Sequence, residues 1–473
     1  MKEDIDDKVL DIVERYKSVF QGIGRASVAP IHIYTKPNSK PRQQKQRPVA
    51  LHFKERMEDH VKELVAGGVV DGPLDSKDAT GWISNPVITA KKWSEKKIRL
   101  NLDMRHMKDI VQTTHFPMPT SSQLRHNLAG SDKFTTLDMN HSYHQFPLDE
   151  ESKNLFVFYT PWGLHRFNTL VMGAHTASSE CQETIRRVLV GLDGCEQIQD
   201  DLVVHGKGEE HDRRLDAVLK RLREYNITLR REKCHFGQPE VLWFGNVYSC
   251  QGMSPDPAKV QIIKDWPAPG SKSEIKSFLQ TVQFCAVFMR PGGGRTYADV
   301  TSPLRKLTAK QARFKWDKQC QDSFVELKTL LCSDMVMANY EVGRDTRLYV
   351  DHGPEGLGAT VAQKYDLPDQ SQSVWRPVHH GSRSLKESEL NYGKPEGESL
   401  AILSGILSNK MYLYGTHFEV ITDHAPLVSM YNSPSKPLPV IIAKHKSKLQ
   451  QKPSRLCLAT SSTGQAVQQV GER

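Results

Sequence analysis

Six acidic residues stand where a short segment of chain can hold a carboxylate rigidly. Asp138 ends an apolar run, KFTTLD, and Asp200–Asp201 lie between QI and LVVHG. Hydrophobic residues running straight into two adjacent acids point to a hairpin tip rather than to a solvated charge run. Further along, Asp351 ends TRLYVD, Glu398 opens the stretch ESLAIL, and Asp423 ends FEVITD. Carboxylates are hard oxygen donors suited to divalent cations. Two such cations about 4 Å apart, held by shared acids, can activate a hydroxyl and stabilise a leaving phosphate. Each set of three therefore fits phosphoryl chemistry. The ordinary readings stand beside it. A chain this long contains an Asp-Asp pair about once by chance, and Asp6–Asp7 is a second one. An acid at a helix start is favoured by the helix dipole whether or not it does chemistry. Spacing alone leaves both readings open.

The acids need strands and helices to place them. Residues 9–20 read as a short amphipathic helix. Residues 35–48 read as a basic, Pro-containing linker or extended arm. Phe53, Met57, Val61, Leu64 and Val65 recur at helical spacing, and Gly67–Gly68 ends that helix. Strands are expected at 85–93, 98–104 and 133–139, a helix through Leu215, Val218, Leu219 and Leu222, and a strand pair at 241–249. After PAPGSKSE a mostly helical stretch runs to about 335, broken by PGGG at 291–294. From Thr346 strands return. The tail from about 434 shows no clear periodicity. The lone Gly22–Gly24 pair lacks the strand–turn–helix context of a dinucleotide site.

Composition bounds the possibilities. At roughly 150 residues per domain, 473 residues suggest about three domains. No run of 18 apolar residues could span a membrane as a helix, and the acidic N-terminus lacks the pattern of a secretory signal. Eight scattered cysteines with no CxxC pair argue against a disulfide framework or a zinc ribbon and for free thiols in a reducing, intracellular compartment. The net charge of +9 is local. Residues 35–53 hold five Lys/Arg and no acid, while residues 434–473 hold seven Lys/Arg and one Glu. The basic charge sits in a linker and a tail, so composition alone is a weak argument for a polynucleotide partner.

The segments LDMNHSYHQFPL (137–148), RFNTLVMGAHTASSECQ (166–182) and IQDDLVVHG (198–206) resemble the successive palm motifs of reverse transcriptases. The nearest resemblance is to the Pol polyprotein of gypsy-type LTR retrotransposons. SNPVITAKK and IRLNLDMRHMK resemble its fingers, LRREKCHF and VLWFGNV its lysine motif and primer grip, and WPAPGSKSEIKSFL the start of its connection. The resemblance covers about residues 8–433. It implies that Asp138, Asp200 and Asp201 ligate two Mg²⁺ ions, with Mn²⁺ able to substitute. Arg99 and Lys91 or Lys92 would hold the incoming dNTP, and Tyr143 would exclude a ribose 2′-hydroxyl. Gly173 would let backbone lie close to nucleotide and template, and Lys233 would protonate the leaving pyrophosphate. Ile198 stands where the family usually has Tyr, Ser142 where it has Gly, and Met172 where an aromatic is common.

LYVDHGPEGLGATVAQ (348–363), EGESLAI (396–402) and FEVITDHAPL (418–427) resemble the RNase H domain that follows in the same polyproteins. Asp351, Glu398 and Asp423 would form a second two-metal site for the RNA strand of an RNA–DNA hybrid. No Asp follows Asp423, and His445 is the only later His outside the TDH motif. From about Leu438 the resemblance stops, so the domain's last strand and helix are expected to be missing and cleavage impaired. His352 stands where the family favours a small residue.

The expected fold is α+β: a right-hand polymerase of fingers, palm and thumb, a helical connection, and an RNase H-like α/β domain truncated at its C-terminal end. The expected boundaries are 1–52 for the N-terminal helix and basic linker, 53–265 for fingers and palm, and 266–340 for thumb and connection. The incomplete RNase H-like domain takes 341–437 and a basic tail 438–473. The expected function is RNA-directed DNA polymerase, with RNA template, DNA primer, RNA–DNA hybrid and dNTPs as partners. The alternative is a decayed or co-opted remnant that binds nucleic acid without turnover.

Overall fold

Antiparallel strand register puts two acids, Asp138 and Asp201, side by side at the end of one sheet. The computed structural model describes residues 6–75, 81–90, 98–112, 116–174, 176–331, 336–366, 373–432, 438–450 and 455–460. Lys91 and Lys92 lie outside them. Two compact units divide at Val241 and Leu242, so residues 242–265 join the second unit.

In the first unit, four strands form a sheet: β1 (Lys133–Asp138), β2 (Cys195–Ile198), β3 (Asp201–Gly206) and β4 (His235–Gln238), in the order β4-β1-β3-β2. Phe134 and Leu137 of β1 and Leu202, Val203 and Val204 of β3 are buried. Two helices belong to this body, α1 (Ala177–Leu189) and α2 (Glu209–Glu224). Helix α2 buries Leu215, Val218, Leu219 and Leu222 at the expected spacing. Its first turn carries Glu209, Glu210 and Asp212 and its last Arg221 and Arg223, which suits the helix dipole. The expected helix at 53–65 spans Leu51–Ala66 and ends at Gly67. The expected strands at 85–93 and 98–104 appear as the antiparallel pair Pro86–Ala90 and Ile98–Leu102.

The basic arm is docked. Single bridges pair Thr35 with Val111 and Gln43 with Ile83. The side-chain oxygen of Gln44 accepts hydrogen bonds from the backbone N–H and the side-chain amide of Asn85. Gly24 also has a packing role. A β-carbon there would sit 2.3 Å from the carbonyl oxygen of Asn226, so only glycine permits the approach.

The second unit holds the antiparallel pair Asn246–Ser249 and Gly252–Pro255 and continues through helices such as Lys272–Phe284 and Lys318–Leu330. A five-stranded sheet follows: β5 (Thr346–His352), β6 (Gly356–Asp366), β7 (Ser373–Ser384), β8 (His417–Thr422) and β9 (Arg455–Thr460), in the order β7-β6-β5-β8-β9. Three helices belong to it: α3 (Lys394–Ser408), α4 (Ala425–Asn432) and α5 (Val440–Gln450).

This sheet corrects the expected end of the domain at 437. Strand β9 runs parallel to β8, from His417↔Arg455 to Thr422↔Thr460, and α5 packs against α3. Ile442, Leu449 and Leu458 join the core that holds Leu348, Ile402 and Leu403. The expected tail therefore supplies a helix and the fifth strand. Its buried apolar positions 442 and 449 are seven apart, and the apolar residues of VIIAKHKSKLQ cluster in its first turn before a basic run, so the sequence shows no helical stripe. Residues 461–473 lie outside the described residues. Removing the buried Ile442 side chain (Ile442→Ala) should cost the second unit about 2–4 kcal/mol. A denaturant titration reads it; an unchanged midpoint would show that α5 contributes no packing.

Candidate active sites

The first site is built by register. Strands β1 and β3 pair antiparallel with Asp138 opposite Asp201, and β2 returns antiparallel to β3 with Ile198 opposite Asp201. Asp200 sits in the tight turn between them. The backbone N–H of Met139 donates to the carbonyl of Asp200 at 3.2 Å, and that of Arg230 to the carbonyl of Asp138 at 2.8 Å. The exit of β1 is thus tied both to the turn and to the segment leading to Lys233.

Two glutamines without a role in the sequence reading hold the turn. Gln199 is left-handed, at φ +53°, an uncommon state for a residue with a side chain. Its N–H donates to the side-chain oxygen of Gln182, on α1, at 2.6 Å. The amide of Gln197 donates to the carbonyls of Gln182 at 3.2 Å and Gln199 at 3.1 Å. Both side chains are buried, so the clamp is shielded from competing water.

Arg99, Asp138, Tyr143, Asp200 and Lys233 line one cleft of ≈ 190 Å³. Lys233 Nζ lies 2.6 Å from Asp138 Oδ2. Tyr143 places its hydroxyl 3.2 Å from Ser178 Oγ on α1. Gly173 has φ +101°, where a side chain is strained; its neighbour Met172 lines the cleft. Asp201 keeps solvent contact as a residue. Packing around its carboxyl, then the charges of Asp200 and Asp138, nonetheless push it up to about 6, opposed by Lys233.

In the second unit, β5 and β8 are parallel neighbours with Tyr349 opposite Ile421. Asp351 and Asp423, each two residues on, therefore leave the sheet side by side. Glu398 comes from the start of α3 and is 1% exposed. Burial, then Asp423 and Asp351, push its carboxyl up to about 8. Its Oε2 is a buried oxygen with no partner. Asp351 is raised too, by burial and by Asp423, against the pull of Arg290. Lys394 Nζ lies 3.7 Å from Asp423 Oδ2. His445 is not in this group. Its Nδ1 lies 3.0 Å from Ser399 Oγ, and the charges it feels come from Lys448, Glu389 and Glu396. His352 has a buried Nε2 without a partner.

Among the described residues no three His, Cys, Asp or Glu side chains already converge as a metal cage. The donors still fit a hard cation. An unpartnered buried carboxylate oxygen, and acids that raise one another's pKa, are groups that positive charge would stabilise.

Comparison with known proteins bears on the family and the fold. Residues 89–248 match the model described as reverse transcriptase (RNA-dependent DNA polymerase). Residues 316–420 match the RNase H-like domain found in reverse transcriptase. The chain therefore carries a reverse transcriptase domain followed by an RNase H-like domain. Its homologues are retrotransposon Pol polyproteins, compatible with the gypsy type. It is 29% identical over 391 residues to the retrovirus-related Pol polyprotein from transposon 412 of Drosophila melanogaster, covering 81% of this chain and 30% of that one. It is 25% identical over 386 residues to the transposon Tf2-3 polyprotein of Schizosaccharomyces pombe, covering 80% and 28%. The chain thus spans about a third of the length of these relatives. The fold resembles a foamy viral protease-reverse transcriptase solved with dsDNA (TM-score 0.82, 17% identity, 98% of this chain and 95% of that one). A second structure of that enzyme, with an RNA/DNA hybrid, gives 0.75 at 17% identity, over 100% and 62%.

The raised acid Glu398 predicts a pH dependence. A carboxyl whose folded pKa exceeds its unfolded value stabilises the fold below the unfolded pKa and loses that stabilisation as pH rises through the folded one. In EDTA, the second unit's melting temperature should fall between pH 4.5 and about 8. Glu398→Gln should flatten the slope. A slope unchanged by that substitution would place the titration elsewhere.

Proposed function

We propose that the chain is an RNA-directed DNA polymerase of a retrotransposon, with an RNase H site for the RNA strand of RNA–DNA hybrids. The observation that carries the reading is the pairing of Asp138 with Asp201 across adjacent strands, Asp200 at the turn, above a cleft that also holds Arg99, Tyr143 and Lys233. Asp138, Asp200 and Asp201 would hold Mg²⁺, or Mn²⁺ in its place. When bound, two such ions lower the barrier for attack of a primer 3′-hydroxyl on a dNTP and for departure of pyrophosphate.

The chain's own groups do the rest. Arg99 is exposed in the cleft and supplies a fixed cation for triphosphate oxygens. Lys91 and Lys92 belong to the same expectation. Lys233, which lies 2.6 Å from Asp138, would give a proton to the departing oxygen. Tyr143, seated against Ser178, walls the sugar's 2′ side, and Gly173 leaves room for backbone beside nucleotide and template. Template and primer would be held chiefly through phosphate contacts.

At the second site Asp351, Glu398 and Asp423 would hold the ions for hydrolysis. His445 is committed to Ser399 and does not join these acids as a ligand, and cleavage is expected to be weak in Mg²⁺ and stronger in Mn²⁺. The proposed subdivision keeps fingers and palm before residue 265, thumb and connection to 340, and the RNase H-like domain after it, now extended through β9. A reducing intracellular compartment fits the six free thiols among the described residues.

Primer extension tests the first site. Asp138→Asn, Asp200→Asn or Asp201→Asn should each lower dNTP incorporation by about 10²–10³-fold with template–primer binding retained. Full extension by Asp200→Asn would end the assignment. The sugar filter is tested separately. Tyr143→Val should admit ribonucleotides at an unchanged melting temperature; unaltered discrimination with a lower melting temperature would make Tyr143 a packing residue only.

A further inference from the structure

Glu398 has no side-chain partner for its Oε2. A side-chain hydrogen bond joins the same carboxyl group to Asp423, and the backbone of α3, with whatever holds the helix's first turns, sets where that side chain starts. On the outer side, Glu396 caps the helix, its carboxylate accepting from the N–H of Gly393 at 3.1 Å. On the inner side stands Ser399, the residue after Glu398, fully buried. Its hydroxyl is the hub of two hydrogen bonds from later in the chain. Tyr431 of α4 approaches Ser399 Oγ at 2.9 Å, and His445 of α5 places Nδ1 at 3.0 Å. His445 is 7% exposed and Tyr431 8%. Burial lowers the pKa of the imidazole, which favours the neutral ring, and a neutral imidazole has one accepting nitrogen. A consistent chain runs from the Tyr431 hydroxyl to Ser399 Oγ, and from the Ser399 hydroxyl to His445 Nδ1.

We propose that His445 is a positioning residue for the second acid site, acting through Ser399, with Tyr431, to hold the turn of α3 that presents Glu398. The proposal rests on the reading of Asp351, Glu398 and Asp423 as the cleavage site. It gives a role to a segment without family resemblance: the helix after Asp423 closes back on the residue beside the middle acid. A buried hydroxyl with both partners satisfied fixes one arrangement; losing a partner leaves a polar group unpaired and lets the turn shift. Small shifts of a group that must meet an ion are costly, because outer-shell partners commonly change metal affinity about 10- to 100-fold.

The test uses the full chain. RNA-strand cleavage of an RNA–DNA hybrid is followed across a Mg²⁺ titration, Mn²⁺ binding is measured by electron paramagnetic resonance, and primer extension is the control. Glu398→Gln defines the second site's share of bound Mn²⁺. Ser399→Ala and His445→Ala should raise the half-activating Mg²⁺ concentration roughly tenfold and weaken second-site Mn²⁺ binding to match. The KM for hybrid and primer extension should not change. His445→Asn, whose side-chain oxygen can take the place of Nδ1, should restore most of the loss. Tyr431→Phe removes one hydrogen bond while keeping the ring, and carries the test if either other variant fails to fold. Wild-type metal demand in the folded variants, with Glu398→Gln inactive, overturns the proposal alone. Undiminished cleavage by Glu398→Gln overturns the site reading and the proposal with it.

Discussion

Carboxylates held close together repel one another, and both sites are built against that repulsion. Without a counter-charge, two acids at the end of paired strands favour spreading apart or taking up a proton. Burial first, and then that repulsion, raise the pKa values of Asp201 and Glu398. Backbone ladders oppose it, because neither acid can leave without breaking strand pairing that the cores beneath hold in register. A hard cation would turn the repulsion into attraction, which is why such arrangements suit phosphoryl chemistry.

The two sites solve the same problem differently. In the first unit Asp138 and Asp201 lie on paired antiparallel strands, Asp200 lies in the tight turn that leads into the second of them, and Gln182 and Gln197 supply the hydrogen bonds that a left-handed Gln199 needs. Lys233 stands against Asp138 and offsets part of the negative charge. In the second unit the acids come from two parallel strands and a helix. No turn joins them, and Lys394 at 3.7 Å is a looser neighbour for Asp423. The third acid therefore depends on how its helix is anchored, which makes the contacts of α4 and α5 with Ser399 part of the site's support.

Much of this was legible in the residues. The apolar runs ending in Asp138, Asp351 and Asp423 are strands in the structure, and the helix through Leu215 and Leu222 has the expected buried face. The tail was not legible. The apolar residues of α5 and β9 cluster at 440–443 and 456–459, and the buried Ile442, Leu449 and Leu458 do not recur at one helix or strand period. Their burial comes from surfaces already made by α3 and β8. A parallel edge strand with little periodicity of its own takes its register from its neighbour.

Residue type and order by themselves determined the chemistry: which side chains are hard oxygen donors, that each set ends a strand or opens a helix, and in what sequence the acids come. These are local properties, carried by side-chain periodicity and by an acid's place at an element's end. Only the tertiary structure decided the partners. Asp138 opposite Asp201, Gln182 on the N–H of Gln199, and His445 on Ser399 rather than among the acids are contacts between distant segments. Such contacts depend on strand register and helix packing, which no single segment encodes, because each is set by the free energy of burying several segments together.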